Sequence, residues 1–268
     1  MSRTTAKHAI LAATCLLLFT GCLAPSPVVR PNSGFTAPST EEIGRLQAQA
    51  NPLPIGERIA FWAERFIAAP YDTDPLGDYV RSRKVVTDSR VDCMYLVFRA
   101  VELAQANTPE GAADRALDLR FRTRGRIRWG RVTNYDERFA YAEDMIASGR
   151  WGREVTAGLG RTVAIPGSRG HERVIVLPKE ELLRPGSLGG FRTGDLVFFV
   201  DDPARRQGAE EVGHLGIIKI ENSTPWLIHA SGRKTSEDTE GGGMVKKESF
   251  TEYAAKMKFI GVKVTRFE

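Results

Sequence analysis

The residues of this chain that could do chemistry together are one cysteine, Cys93, and two histidines far downstream, His214 and His229. Cys93 follows Asp92, a good helix-capping residue, and precedes an apolar run, so the pattern predicts that the cysteine lies in the first turn of a buried helix. Unpaired backbone N–H groups and the positive end of the helix dipole favour a thiolate there. A thiolate is a nucleophile, so this position suits covalent attack on a carbonyl carbon.

The two histidines are spaced so that they could serve such a thiolate. They lie 15 residues apart in strand-like sequence, with a turn signal between them. In an antiparallel hairpin the two positions come to the same edge. If the helix bearing Cys93 packs against that edge, His214 would be the general base and His229 would orient it. The backbone N–H of Cys93 would then stabilise an oxyanion.

Spacing alone leaves other interpretations open. Cys93 could be a small buried hydrophobic residue, and each histidine could be a surface residue or a satisfied core residue. A zinc amidase built on His171, His214, His229 and an acid is a further alternative, but the chain has no His-Glu-x-x-His run. We therefore expect no metal and no other cofactor.

The elements that must position these residues fall into two halves. Capping and helical periodicity predict helices from residue 39 onward, including a helix that Asn134 caps and that runs to Ser148, with Gly149 at its end. After that the pattern changes to short β-branched strands separated by turns. Helices followed by antiparallel strands predict an α+β fold, with one domain over residues 39–268 and a helical N-terminal half packed on an antiparallel sheet.

One basic stretch stands out, because residues 120–133 hold six arginines and Trp129. The stretch could be a substrate-facing loop or a solvated basic strand. The net charge of the whole chain, +5, is mild, and the other basic residues are scattered. We therefore expect no nucleic-acid partner.

The N-terminus has the features of an export signal. A basic start and an apolar stretch over residues 9–19, too short to span a bilayer, predict a signal peptide over residues 1–21. The small residues before Cys22 resemble a bacterial lipoprotein cleavage site, so Cys22 is expected to be lipidated; an ordinary secretory signal is the alternative. Residues 22–38, rich in proline, predict a flexible tether. Leu23 does not resemble an inner-membrane retention signal, which favours the periplasmic face of the outer membrane.

Several short motifs occur together in a characteristic order. They are Ala69-Pro70-Tyr71, Val91-Asp92-Cys93, Gly194-Asp195-Leu196-Val197, Gly213-His214-Leu215-Gly216-Ile217 and His229-Ala230-Ser231. Over about residues 55–268 the chain resembles the NlpC-type, papain-like peptidoglycan hydrolases, and is most similar to their N-acetylmuramoyl-L-alanine amidase-like branch. The resemblance implies a papain-like fold in which Cys93, His214 and His229 are nucleophile, base and orienting residue.

The same resemblance implies further site residues and a substrate. Tyr71 would lie near the substrate carbonyl, and Asp92 would be the acid that precedes the nucleophile. The substrate would be peptidoglycan or muropeptides, cut either between the muramoyl lactyl group and L-alanine or after D-glutamate in the stem peptide. The residues after Cys93 depart from the Thr-Phe-Val-Glu run of that branch. A non-catalytic peptidoglycan-binding lipoprotein therefore remains an alternative.

Overall fold

The structure is a computed structural model that describes residues 34–206, 208–233 and 242–268. The predicted signal peptide over residues 1–21, the predicted lipidation site Cys22 and most of the predicted tether over residues 22–38 lie outside the described residues. Within the described ranges we find no helix that combines the length and the hydrophobicity needed to cross a bilayer.

The first half of the described chain is helical, as predicted. Its helices are α1 (Thr40–Ala50), α2 (Ile55–Arg65), α3 (Asp78–Ser82), α4 (Cys93–Ala104), α5 (Pro109–Leu119) and α6 (Ala142–Ser148). The side chains of Ser39, Asp92 and Thr108 cap α1, α4 and α5, each accepting a hydrogen bond from a backbone N–H of the first turn. These caps explain why the three helices begin where the sequence predicts.

The helix that was predicted to begin after Asn134 begins instead at Ala142, so this prediction was wrong at its start. The Asn134 side chain has another role: its Oδ1 accepts from the Arg126 N–H at 2.8 Å and its Nδ2 donates to the Arg124 carbonyl at 3.2 Å. Because the amide bridges the preceding basic stretch, it does not cap a helix. Gly149, in the left-handed region at φ +67°, ends α6 as expected.

An antiparallel sheet dominates the second half. The strands of the described chain and the two remaining helices are β1 (Ile127–Arg128), β2 (Arg131–Val132), β3 (Arg153–Glu154), β4 (Val163–Pro166), β5 (Arg173–Pro178), α7 (Lys179–Leu182), β6 (Leu196–Val200), β7 (Val212–Glu221), β8 (Thr224–Gly232), β9 (Gly243–Ser249), α8 (Phe250–Lys256) and β10 (Gly261–Arg266). β1 and β2 form a separate hairpin, and the others follow the order β4-β5-β10-β6-β7-β8-β9, with β3 paired to β10. The α+β class with an antiparallel sheet is confirmed, whereas β9 was not predicted.

The sheet is buried on both faces, because successive residues of a strand point to opposite sides. Leu215 and Ile217 of β7 pack in one cluster with α1, α2, α4 and α5, whereas Ile218 packs in a second cluster with α7 and α8. Helix α4 lies inside the molecule, and its residues from Tyr95 to Ala104 are all buried. Helix α4 is thereby packed against β7 and β8.

Candidate active site

Cys93 is the first residue of α4, where the sequence placed it. The buried Asp92 caps this helix: its Oδ1 accepts a hydrogen bond from the Tyr95 N–H at 2.7 Å. The Cys93 side chain is half-buried and packs against the cluster on the α4 side of the sheet. The N–H groups of the first helical turn and the helix dipole favour the thiolate at this position.

Tyr71 lies beside the start of α4 because residues 70–72 pair with the residue that precedes Asp92. The Val91 N–H donates to the Pro70 carbonyl at 3.0 Å, and the Asp72 N–H donates to the Val91 carbonyl at 3.1 Å. Burial raises the pKa of the Tyr71 phenol, and the nearby Cys93, Asp92 and Asp72 raise it further. The Tyr71 hydroxyl therefore keeps its proton at neutral pH and can donate a hydrogen bond beside Cys93.

The two histidines meet on neighbouring strands, as the hairpin geometry predicts. His214 lies on β7 and His229 on β8, and these strands pair antiparallel. His214 Nε2 lies 2.8 Å from His229 Nδ1. Only one of these two nitrogens can carry the shared proton, so the tautomer of one ring dictates the tautomer of the other.

Glu248, which the sequence did not indicate, determines the tautomer of His229. Glu248 Oε1, on β9, lies 2.6 Å from His229 Nε2. An ionised carboxylate can only accept, so His229 carries its proton on Nε2 and its Nδ1 is an acceptor. His214 therefore donates from Nε2, and its Nδ1 is the nitrogen left with a basic lone pair. Glu248 lies diagonally across the ladder from His229, which pairs with Lys246. The register would have revealed it only if β9 had been predicted.

Tyr253 of α8 is the second residue that the sequence did not indicate. It lies near both histidines and interacts with Cys93. Its ring lies 6.2 Å from the His214 ring and 5.0 Å from the His229 ring, centroid to centroid. Strand alternation turns both histidines to the α8 side of the sheet. Burial raises the pKa of the Tyr253 phenol, and electrostatic interactions with Cys93 and Glu248 raise it further. Cys93 and the histidine pair thus share Tyr253 as a neighbour.

Burial favours the neutral form of both histidines. Removal from water lowers the pKa of His214 to about 3, and the neighbouring His229 and Lys258 charges act in the same direction. Removal from water also lowers the pKa of His229, although its hydrogen bond to Glu248 opposes this shift. His214 is therefore neutral near pH 7 with a lone pair on Nδ1, although its lowered pKa makes it a weaker proton acceptor than a free imidazole.

His171, which the zinc alternative requires beside the histidine pair, has a different partner. Its Nδ1 lies 3.2 Å from Glu211 Oε1. In the part of the chain that the structure describes, no three side chains of ligating type converge in a geometry that could hold a metal ion. The described residues therefore offer the zinc alternative no ligand set.

Comparison with known proteins defines the fold. No family model and no curated protein matches this chain. An N-acetylmuramoyl-L-alanine amidase from Bacteroides uniformis ATCC 8492 superposes with a TM-score of 0.58 at 19% identity, over 79% of this chain and 98% of the amidase. A Legionella pneumophila protein of the DUF1460 family gives a TM-score of 0.61 at 15% identity, over 84% of this chain and 93% of that protein. A candidate xylanase from Bacteroides fragilis gives 0.57 at 20% identity, over 78% of this chain and 100% of that one. At these identities the likeness establishes a shared fold.

Proposed function

We propose that this protein is a papain-like, NlpC-type cell-wall hydrolase that cleaves an amide bond in peptidoglycan or muropeptides, most specifically as an N-acetylmuramoyl-L-alanine amidase. The observation that carries the proposal is the hydrogen-bonded series His214–His229–Glu248, which shares Tyr253 as a neighbour with Cys93 at the N-terminus of α4. A cysteine at such a position, a basic imidazole nitrogen and an orienting partner are the parts of a cysteine hydrolase. The fold shared with an amidase of Bacteroides uniformis supports this choice of substrate.

In the proposed reaction the Cys93 thiol transfers its proton to His214 Nδ1 and the sulfur attacks the lactyl carbonyl carbon. The tetrahedral intermediate collapses as the carbon–nitrogen bond breaks. The protonated His214 then gives its proton to the departing amino group of L-alanine, and a thioester remains on Cys93. Water attacks the thioester with His214 again as base, which releases the muramic carboxyl group and restores the thiol.

The negative charge on the carbonyl oxygen needs donors that are already in place. The Cys93 backbone N–H, in the first turn of α4, and the Tyr71 hydroxyl are the two proposed donors. Since burial keeps Tyr71 protonated, its hydroxyl can donate throughout the reaction. Donors held rigidly around a developing oxyanion are the largest single contribution in many acyl-transfer enzymes.

Product analysis tests this function directly. The chain from residue 23 onward and its Cys93→Ala variant are incubated with purified muropeptides, and the products are identified by mass spectrometry. Release of the intact stem peptide by the wild type alone supports the amidase proposal. Release of a muramoyl dipeptide would keep Cys93 as nucleophile but move the cleaved bond to the D-glutamyl position. Binding without any product would favour the non-catalytic wall-binding alternative.

We also propose that the protein is exported and anchored by lipid on Cys22 to the periplasmic face of the bacterial outer membrane, after loss of residues 1–21. The support is the sequence pattern around Cys22. Mass spectrometry of the N-terminal peptide from membrane fractions should show a diacylglyceryl cysteine. A Cys22→Ser variant that remains equally membrane-bound and is cleaved at another position would contradict this anchoring.

A further inference from the structure

The basic stretch of the sequence folds as a hairpin with an unusual turn. β1 and β2 pair through Ile127 with Val132 and Arg128 with Arg131. Trp129 occupies the turn with φ +51°, in the left-handed region that a bulky side chain rarely adopts. Trp129 is 86% exposed and Ile127 is 52% exposed. The chain therefore holds a large apolar side chain in water at a strained position, a combination typical of functional surfaces.

The charges of this region divide into two groups. At the base of the hairpin the arginines are paired: Arg122 with Asp144, Arg124 with two aspartates of α5, and Arg126 with Glu137. At the tip, the described residues provide no carboxylate within ion-pair distance of Arg83, Arg128 or Arg131. The tip therefore carries positive charge that the described part of the molecule does not neutralise.

The tip groups lie close enough together to act as one surface. The Arg83 carbonyl accepts from the Val132 N–H at 2.9 Å, which ties the end of α3 to the hairpin. The Arg128 guanidinium lies over the Trp129 ring, 4.1 Å from its centroid. An open groove of about 490 Å³ lies between Arg83, Arg128, Trp129 and Arg131. We call these four residues, together with Ile127, the hairpin tip.

We propose that the hairpin tip binds the surface of an anionic phospholipid bilayer. Its charge is complementary to lipid phosphates, which guanidinium groups bind in bidentate fashion. Tryptophan prefers the membrane–water interface, and Ile127 adds apolar area that can enter the headgroup region. Each basic side chain near an anionic membrane surface strengthens binding roughly fivefold. This proposal is independent of the catalytic function, because it uses none of the residues assigned to that site.

Tryptophan fluorescence of the full chain tests the proposal at the residue concerned. The sequence has four tryptophans, none of them before residue 62. Trp62 and Trp151 are buried and Trp226 is half-buried, so quenching by acrylamide in water reports mainly on Trp129. With vesicles of mixed phosphatidylglycerol and phosphatidylcholine, quenching should fall and the emission should shift to shorter wavelength. A Trp129→Phe variant should show neither change, which confirms the reporter.

Charge variants separate the hairpin from the N-terminal segment, which would attach to vesicles by itself if Cys22 carries the proposed lipid. The double variant Arg128→Gln/Arg131→Gln should sediment with the vesicles but lose most of the Trp129 protection. Arg124→Gln, a paired arginine of the same stretch, should keep it. Equal protection by pure phosphatidylcholine vesicles, or none with either kind, would overturn the proposal. Protection by muropeptides instead of vesicles would also overturn it, because the tip would then be part of the substrate groove.

Discussion

Glu248 Oε1 lies 2.6 Å from His229 Nε2, and this single contact determines which nitrogen of His214 is basic. The carboxylate accepts from His229 Nε2, His229 Nδ1 accepts from His214 Nε2, and His214 Nδ1 keeps its lone pair. Glu248 touches neither the thiol nor the proposed substrate in this scheme. In the proposed mechanism Glu248 would be a positioning residue that acts through His229.

Glu248→Leu should lower kcat for muropeptide cleavage by at least about tenfold with little change in KM, because partners that orient a functional imidazole are commonly worth that much. The pH–rate profile should also change, since either tautomer of His229 becomes accessible. Steady-state kinetics across pH measure both effects. Glu252→Leu, which removes an exposed carboxylate on α8, is the matched control. Equal activity of the wild type and Glu248→Leu would exclude the positioning role.

Cys93 should be more reactive than an ordinary thiol. The N-terminus of α4 favours the thiolate, so iodoacetamide should alkylate Cys93 faster than glutathione at about pH 7. His214→Gln should slow the reaction, because the proton acceptor is lost while the helix remains. Mass spectrometry of the labelled Cys93 peptide over time gives both rates. A wild-type rate no faster than glutathione would favour the non-catalytic alternative.

Stability should fall in mild acid because of His214. Its pKa is lowered from 6.5 to about 3 in the folded protein, so between these values the unfolded chain binds a proton that the folded chain does not. Above the unfolded pKa His214 is neutral in both states and does not affect the free energy of unfolding. As pH falls below that value, the free energy of unfolding decreases by at most about 1.4 kcal/mol per pH unit.

Urea titrations of the wild type and His214→Gln at about pH 7 and about pH 4.5 measure this difference. The free energy of unfolding of the wild type, relative to the variant, should be lower at the acid pH. The variant cannot gain a proton at this position, so other titrating groups cancel in the comparison. A relative stability that stays constant or rises in acid would show that His214 is not held neutral by the fold.

The stability of the protein should depend on a buried ionic network that involves α4, the helix that carries Cys93. Glu102 of α4 is fully buried and accepts from Arg120 Nη2 at 2.7 Å and from Arg99 Nη1 at 3.3 Å. Glu102→Leu would leave two buried guanidinium groups short of a partner, which should cost about 3–5 kcal/mol. Glu110→Leu, an exposed glutamate of α5, should cost far less. Urea denaturation of both variants gives the comparison, and equal costs would contradict the network's role.

Local sequence was sufficient to place the chemistry-bearing residues on their elements. Asp92 and the apolar run after it lie within one helical turn of Cys93, so the interactions that start α4 are visible in a few adjacent residues. The hairpin that joins His214 and His229 is likewise local, with a turn signal between strands of suitable composition. Caps and short hairpins are predictable because every group that forms them lies close in the chain.

The tertiary structure alone decided which residues complete the site. Glu248 reaches His229 only through β9, a polar strand with no clear alternating pattern, and Tyr253 reaches both imidazoles only because α8 packs on that face. Asn134 is a residue type that often caps helices. Here its amide instead forms hydrogen bonds with backbone groups of Arg124 and Arg126, next to the β1–β2 hairpin. In each case the side chain is of a type that could form hydrogen bonds or contacts with several different partners. Only the packed sheet determines which partner lies within hydrogen-bonding distance, and this information is absent from any short window of the sequence.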